Sequence, residues 1–195
     1  MKKYSLLLLP FMLAAILTGC DNSPQVIHDL SNSNFQLVNQ DSALINFPSG
    51  FEDQYLIVGF IYTHCPDICN VITAKMKNIS TQLQNSTDVH FVEITFDPAR
   101  DTPTVLKNYM QNFKLDDGRF TMLTGDSASV NSVLNAMDID AAVAYRDTTA
   151  QGKINYTMNH TNRIFIMDKQ GRARFEYPGS AVPKEHVIED LNKLR

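Results

Sequence analysis

Residues 55–70, YLIVGFIYTHCPDICN, decide the fold, because an apolar strand pattern runs directly into two cysteines. The continuous apolar run, rich in β-branched and aromatic side chains, predicts a buried strand over Gln54–Tyr62. Apolar residues then recur every three or four positions over Ile68–Gln84, as on one face of a helix. Cys65 and Cys69 therefore lie where a strand gives way to a helix.

The rest of the chain continues the alternation of strands and helices and then ends in a hairpin. Further strands are predicted at Val89–Phe96, Phe120–Leu123, Lys153–Met158, Arg163–Asp168 and Ala173–Tyr177, and further helices at Thr104–Phe113, Ser127–Met137 and Pro183–Leu194. Thr102 and Asp126 are predicted helix N-caps. The turn 168–171, DKQG, joins the last two strands as a C-terminal β-hairpin. The pattern predicts the α/β class, with a mixed central sheet flanked by helices.

The N-terminus has the pattern of an export signal. Lys2 and Lys3 precede an apolar run over residues 6–17, which is shorter than the roughly 20 residues that a membrane-spanning helix needs. The run ends in LTGC (17–20), which resembles the lipobox of bacterial lipoproteins. This resemblance implies a signal peptide over residues 1–19, lipidation of Cys20, a tether over residues 20–34 and a domain over residues 35–195. The alternative is an ordinary signal peptide with a chance cysteine.

A lipid on Cys20 would leave Cys65 and Cys69 as the only other cysteines, outside the cytoplasm, where disulfides persist. Asp21 after the lipidated residue resembles a retention signal for the inner membrane. The expected location is therefore the periplasmic side of the bacterial inner membrane, with the lipid as the membrane contact. A net charge of −4 and the lack of a basic cluster argue against a nucleic acid partner.

Two cysteines four positions apart allow a disulfide, a redox couple or a metal site. Both Cys65 and Cys69 fall at a predicted helix N-terminus, which favours the thiolate form. Two thiolates are soft ligands that suit Cu(I) or zinc. A closed zinc site needs four ligands, whereas two sulfurs, with or without one imidazole, suffice for Cu(I).

The chain contains five histidines that could supply this imidazole. His160 is the leading candidate, because it lies in a polar break, YTMNHTN (156–162), just ahead of a predicted strand. His64 is next to Cys65, but neighbouring side chains need not converge. The other three are interpreted as a hydrogen-bonded sheet-edge residue, His90, and two solvated residues, His28 in the tether and His186 on the last helix.

Three segments in register resemble the Sco/SenC family: GFIYTHCPDIC (59–69), TFDPARDTP (95–103) and NHTNRIFIMDKQG (159–171). The resemblance covers residues 35–195. It implies a thioredoxin-like fold, attachment to a membrane, and copper bound by Cys65, Cys69 and His160. It also implies delivery of that copper to the binuclear copper centre of cytochrome c oxidase, while some family members reduce disulfides.

Several positions need a separate interpretation. Asn159 replaces an aspartate that the family often has, which predicts a weaker hold on Cu(II), and Asn70 replaces a frequent proline. Asp97, Arg100 and Asp101 are interpreted as turn and cap residues, with Arg100 bridging the two carboxylates, rather than as a surface that binds a partner. Asp67, between the cysteines, is predicted to cap the helix.

The sequence thus predicts a copper metallochaperone that holds Cu(I), Cu(II) or both. Its partner would be the copper subunit of cytochrome c oxidase or another copper acceptor. The alternative is a periplasmic thiol–disulfide reductase in which Cys65 and Cys69 cycle through a disulfide. The protein would be an enzyme only in this second case.

Overall fold

A mixed eight-stranded sheet lies at the centre of the computed structural model, which describes residues 23–115, 117–148, 152 and 154–195. The strands are β1 (His28–Asp29), β2 (Phe35–Asn39), β3 (Leu44–Phe47), β4 (Tyr55–Ile61), β5 (Val89–Thr95), β6 (Phe120–Thr124), β7 (Ala141–Thr148), β8 (Ile154–His160), β9 (Arg163–Met167) and β10 (Arg172–Pro178). The helices are α1 (Ile68–Gln82), α2 (Pro103–Phe113), α3 (Ser127–Ala136) and α4 (Lys184–Asn192). The predicted signal peptide and Cys20 lie outside the described residues. In the part that is described, no helix has the length and apolarity needed to cross a bilayer.

The strand order in the large sheet is β1-β10-β9-β4-β5-β6-β2-β3, while β7 and β8 form a separate antiparallel pair. β4, β5 and β6 run parallel, and the other neighbours in the large sheet are antiparallel. The predicted mixed sheet and the C-terminal hairpin of β9 and β10 are therefore confirmed. All seven residues of β4 are buried, as expected for a parallel strand covered on both faces.

Close packing of α1 brings the cysteine-bearing helix onto the centre of the sheet. A Cβ atom on Gly59 of β4 would lie only 2.6 Å from the Met76 sulfur of α1, so any larger residue would force the Met76 side chain to move. Large apolar side chains on the two faces of the sheet and on α1 are fully buried: Phe60, Ile72, Phe91 and Phe165. The sheet and α1 thus form the rigid support for the turn between the cysteines.

The chain joins the sheet well before residue 35, where the sequence predicted the domain to begin. The Arg174 guanidinium donates to the Pro24 carbonyl, and β1 pairs with β10. Leu30 is buried, and the ring of His28 packs edge-on against Phe165 at 5.7 Å between centroids. His28 is therefore not a solvated tether residue. The polar composition of this segment concealed its single buried leucine and its pairing with the edge of β10.

Three regions differ from the predicted elements because their strands are short or exposed. β2, β3 and β7 were not predicted. β8 ends at His160, so this histidine lies at the end of a strand rather than in a loop. The predicted start of that strand, Lys153, falls outside the described residues.

Helix caps follow the prediction at two of three positions. The side chain of Thr102 accepts a hydrogen bond from the Val105 amide, and that of Asp126 accepts from Ala128 and Ser129. Asp67 occupies the N-cap position of α1, but its side chain makes no capping hydrogen bond, so the predicted cap is wrong. Its backbone torsions, φ −137° and ψ −99°, are not the extended geometry of the other two caps.

Replacing Asp126 by alanine is expected to lower the free energy of unfolding by about 1 kcal/mol, because two helix N–H groups lose their acceptor. Asp126→Asn, which keeps an acceptor oxygen, is the matched control and is expected to retain most of that stability. Urea denaturation followed by circular dichroism measures both. Equal stability of the alanine variant and the unmodified protein would contradict this role.

Candidate metal centre

The turn between the cysteines begins where β4 ends. The Cys65 amide donates to the Tyr62 carbonyl at 3.2 Å, which turns the chain toward α1. Cys65 is 7% exposed and Cys69 is fully buried on the first turn of α1. Both are free thiols in this structure, so the predicted disulfide between them stays a prediction.

His160 reaches the thiols from the separate β7–β8 sheet. Its Nε2 atom lies 3.7 Å from the Cys69 sulfur, although 91 residues separate the two positions in the chain. One ligand atom from each of Cys65, Cys69 and His160 lies within 4.8 Å of the other two. The three predicted ligands are therefore brought together in space.

Contacts around the His160 ring direct its Nε2 atom toward the sulfurs. Nδ1 lies 3.0 Å from the Thr161 carbonyl, which can only accept, so Nδ1 carries the proton and Nε2 has a free lone pair. The ring packs against Phe96 at 4.5 Å and edge-on against Tyr62 at 5.9 Å, measured between centroids. A backbone carbonyl thus holds the second nitrogen, whereas Asn159 is exposed on the other face of β8.

The segment 97–101, DPARD, holds the histidine strand in place. Asp97 accepts hydrogen bonds from the Tyr156 hydroxyl and from Arg100. The Arg100 guanidinium also donates to the Tyr156 carbonyl at 2.9 Å and lies 3.4 Å from the centroid of the Tyr156 ring. Tyr156 and His160 are both on β8, so these contacts attach the strand that carries the imidazole. No local sequence pattern predicts this role for Tyr156.

The same segment also holds the strand that leads to the cysteines. The buried Asp101 carboxylate accepts from the Thr63 amide at 3.0 Å and from the Thr63 and Thr95 hydroxyls. The segment has a structural role, as predicted, but the predicted contacts are wrong: the Asp97 and Asp101 carboxylates bond to neighbouring strands rather than to helix-cap N–H groups, and Arg100 does not bridge them. Arg100 pairs with Asp97, and Asp101 bonds to threonines instead.

The other histidines lie away from the metal centre. The side chain of His64 is 49% exposed and approaches Thr63 and Asp101. His90 makes the predicted hydrogen bond, to Thr121 at 2.9 Å, but it lies on the central strand β5 rather than at a sheet edge. Burial lowers the pKa of His90 to about 4, so this ring is neutral. His186 is exposed on α4, as predicted.

The donor set fits a soft monovalent metal ion better than a closed zinc site. The predicted preference for the thiolate is wrong for Cys69, because burial raises the pKa of this thiol well above its usual range. The metal-free site therefore holds a neutral thiol that an incoming ion must deprotonate. Among the described residues, no fourth histidine, cysteine or carboxylate joins the three ligands. Two thiolates and one imidazole match Cu(I), whereas structural zinc takes four ligands.

Residues 25–195 match the family model described as SCO1/SenC. The chain belongs to the SCO1/SenC family. A SCO2-like protein of Rickettsia prowazekii is 34% identical over 139 residues, which are 71% of this chain and 64% of that relative. A second SCO2-like protein, from Rickettsia typhi, is 34% identical over 71% of this chain. The alignments thus span just under two thirds of these relatives, 64% and 65% of their lengths.

Solved structures of SCO1/SenC proteins have the same fold and confirm the thioredoxin-like class. A SCO1/SenC family lipoprotein from Bacillus anthracis superposes with a TM-score of 0.71 at 25% identity, covering 89% of this chain and 98% of that one. ScoI of Bradyrhizobium japonicum, solved with copper bound, superposes with a TM-score of 0.63 at 29% identity. The match covers 83% of this chain and 98% of ScoI. BsSco, a member of the Sco family of cytochrome c oxidase assembly proteins, matches in fold with a TM-score of 0.67 at 21% identity. The match covers 88% of this chain and 95% of BsSco.

Proposed function

We propose that this member of the SCO1/SenC family is a copper metallochaperone that carries one copper ion on Cys65, Cys69 and His160. The observation that carries the proposal is the convergence of two sulfurs and one imidazole nitrogen within 4.8 Å. Two thiolates provide the soft ligands that Cu(I) prefers, and the imidazole adds the nitrogen donor that Cu(II) accepts. The copper bound to ScoI of Bradyrhizobium japonicum supports the choice of metal.

Copper transfer would proceed by exchange of ligands rather than by a redox step. When Cu(I) binds, the two cysteine thiols each release one proton and form a copper–sulfur bond. Acceptor thiolates then replace these bonds one at a time, and each freed thiolate takes up a proton. Oxidation of Cys65 and Cys69 to a disulfide would remove two electrons and two protons and block loading, so an external reductant is required.

The proposed acceptor is the binuclear copper centre of cytochrome c oxidase. The membership of BsSco in a family of oxidase assembly proteins supports this assignment. We further propose that a lipid on Cys20 anchors the protein at the periplasmic side of the inner membrane. The Bacillus anthracis relative, which is a lipoprotein, supports the lipid anchor. Deletion of the gene tests the acceptor: cytochrome c oxidase activity should fall, and added copper should restore it. Cys20→Ala tests the anchor: the protein should move from the membrane fraction to the soluble fraction.

The reductase alternative fits the site less well. A reductase needs at least one exposed, reactive thiolate, whereas Cys65 is only 7% exposed and Cys69 is fully buried. A dithiol that only cycles electrons also has no use for the imidazole beside Cys69. These observations favour the metal over the disulfide as the working state of the pair.

The reduced protein is expected to bind one copper ion per chain. Loading with Cu(I) under anaerobic conditions, followed by gel filtration and elemental analysis, measures this ratio. The same protein oxidised beforehand to the disulfide is the matched control and should bind none, because both sulfurs are then occupied. Equal loading of the reduced and oxidised proteins would contradict the proposed site.

A further inference from the structure

The β7–β8 pair is exposed along most of its length, and one face of β8 holds it on the molecule. Every residue of β7 except Ala141 is exposed. Along β8, only Tyr156, Met158 and His160 are partly buried. Side chains two positions apart lie on the same face of a strand, so these three residues form one face of β8. The position of the imidazole therefore depends on how this face is attached.

The attachment is weaker in the middle of this face than at the end far from the metal centre. In the middle, the Met158 amide lies 3.4 Å from the Tyr62 hydroxyl, which is longer than a typical N–H···O distance of about 2.9 Å. At the far end, the Tyr156 hydroxyl donates to Asp97 Oδ1 at 2.6 Å. At the near end, His160 contacts the site that it is proposed to complete. Tyr156 thus makes the strong attachment that is independent of the ligands.

The attachment at Tyr156 is made to a fixed group and holds both its side chain and its backbone. Asp97 is buried, and Arg100 donates to the same carboxylate. The Arg100 guanidinium also lies against the Tyr156 ring and donates to the Tyr156 carbonyl. Burial, followed by the hydrogen bond to Asp97, raises the pKa of Tyr156 to about 12, so its hydroxyl keeps the proton that it donates.

The segment that holds Tyr156 also holds the approach to the cysteines. The Asp101 carboxylate accepts from the amide and the hydroxyl of Thr63, two residues before Cys65. Residues 97–101 therefore contact both sides of the metal centre. Thr63 is the link on the sulfur side, and Tyr156 is the link on the imidazole side.

We propose that Tyr156 is a positioning residue for the imidazole ligand, because its bonds to Asp97 and Arg100 hold β8 where His160 reaches the sulfurs. The inference rests on the proposed copper site. Tyr156 lies four residues before His160, about 13 Å along the strand, so it acts through the strand rather than by contact with the ion. Loss of its hydroxyl should loosen the imidazole and leave the two sulfurs in place.

The two valences of copper should respond differently to Tyr156→Phe, which removes the hydroxyl and keeps the ring. Cu(II) affinity should fall about tenfold, the lower end of the loss for groups that support a metal ligand. Cu(I) affinity should stay within about threefold, since two thiolates hold this ion without the imidazole. Competition with chelators for each valence measures both affinities.

Tyr145→Phe is the matched control. Tyr145 lies on β7 of the same strand pair, and it is 63% exposed. Its replacement removes the same hydroxyl group from the same part of the molecule, so both copper affinities should equal those of the unmodified protein. A Tyr156→Phe protein that binds Cu(II) as tightly as this control would overturn the inference.

The same substitution in a His160→Ala background separates positioning from a general structural effect. With no imidazole to position, Tyr156→Phe should cause no further loss of Cu(II) affinity. A general structural effect would lower the affinity by the same factor in both backgrounds, and that result overturns the inference.

A further measurement needs no copper. Hydrogen exchange of the Met158 amide, followed by NMR, reports how well β8 is held, because this amide bonds to Tyr62 across the gap between the two sheets. Exchange should be several-fold faster in Tyr156→Phe than in the unmodified protein. Tyr145→Phe should exchange at the unmodified rate.

The exchange measurement separates the failure of this inference from the failure of the proposed function. Equal exchange rates in Tyr156→Phe and the unmodified protein overturn the role of Tyr156, whether or not the protein binds copper. Absence of copper binding in every variant overturns the proposed function, while the exchange rates still decide whether Tyr156 holds β8.

Discussion

Replacing Cys69 by serine is expected to lower the affinity for Cu(I) by more than about a hundredfold. Changes to groups that only support a metal ligand already cost about ten- to a hundredfold, and this change removes a ligand itself. A hydroxyl group is a hard, poorly ionised donor that Cu(I) does not prefer. Cys69 is fully buried, so serine of similar size should occupy the same position without rearranging α1. Competition with a chromophoric Cu(I) chelator under reducing conditions measures the loss.

Asp67→Asn is the matched control for this substitution. Asp67 lies between the two cysteines and is exposed, and its side chain makes no capping hydrogen bond. Its replacement should leave the copper affinity within about twofold of the unmodified value, because substitutions of exposed side chains that make no structural contact usually have small effects. A Cys69→Ser protein that binds Cu(I) as tightly as this control would refute the assignment of the sulfur ligands.

Replacing His160 by alanine should separate the two valences of copper. Cu(II) affinity is expected to fall by about a hundredfold or more, because Cu(II) depends on nitrogen donors and the site offers one. Cu(I) affinity should fall by about tenfold or less, since two thiolates can hold this ion without the imidazole. Loss of the visible sulfur-to-copper absorption measures Cu(II) binding, and chelator competition measures Cu(I) binding.

His64→Ala provides the comparison for the histidine variant. His64 is next to Cys65 in sequence, yet its half-exposed ring approaches Thr63 and Asp101 instead of the thiols. Both copper affinities should therefore be preserved. The roles assigned here would be reversed if His64→Ala lost Cu(II) binding while His160→Ala kept it.

Much of the fold and the ligand set could be predicted because the signals are local. The strand β4, the helix α1 and the break between them follow from hydrophobic periodicity over residues 55–82. The cysteines at that junction are evident from spacing. The choice of His160 over His64 depended largely on resemblance to a family, because no local pattern shows that β8 returns to the end of β4.

The missed features depend on contacts between distant parts of the chain. β7 is mostly exposed and exists through its pairing with β8, so it carries no alternation of buried and exposed residues. The hydrogen bond from Thr73 of α1 to the buried Glu93 of β5 joins two distant elements, and no periodicity reveals it. One signal was available, since Glu93 is an acidic residue inside an otherwise buried strand, VEITF (92–96). Acidic side chains are rarely fully buried without a partner, so an acidic residue in a predicted buried strand is unusual.

The third ligand comes from a sheet that is not part of the main one, and this has a consequence for release. Among the described residues, β7 and β8 form a sheet separate from the large one, while the cysteines lie at the end of β4 and the start of α1, which pack in the large sheet and on it. An ion bound by all three donors therefore connects the β7–β8 pair to the large sheet and α1. Copper binding and the position of the β7–β8 pair are linked reciprocally. Bound copper therefore opposes displacement of this pair. A docking contact that displaces the pair lowers the copper affinity by the same factor.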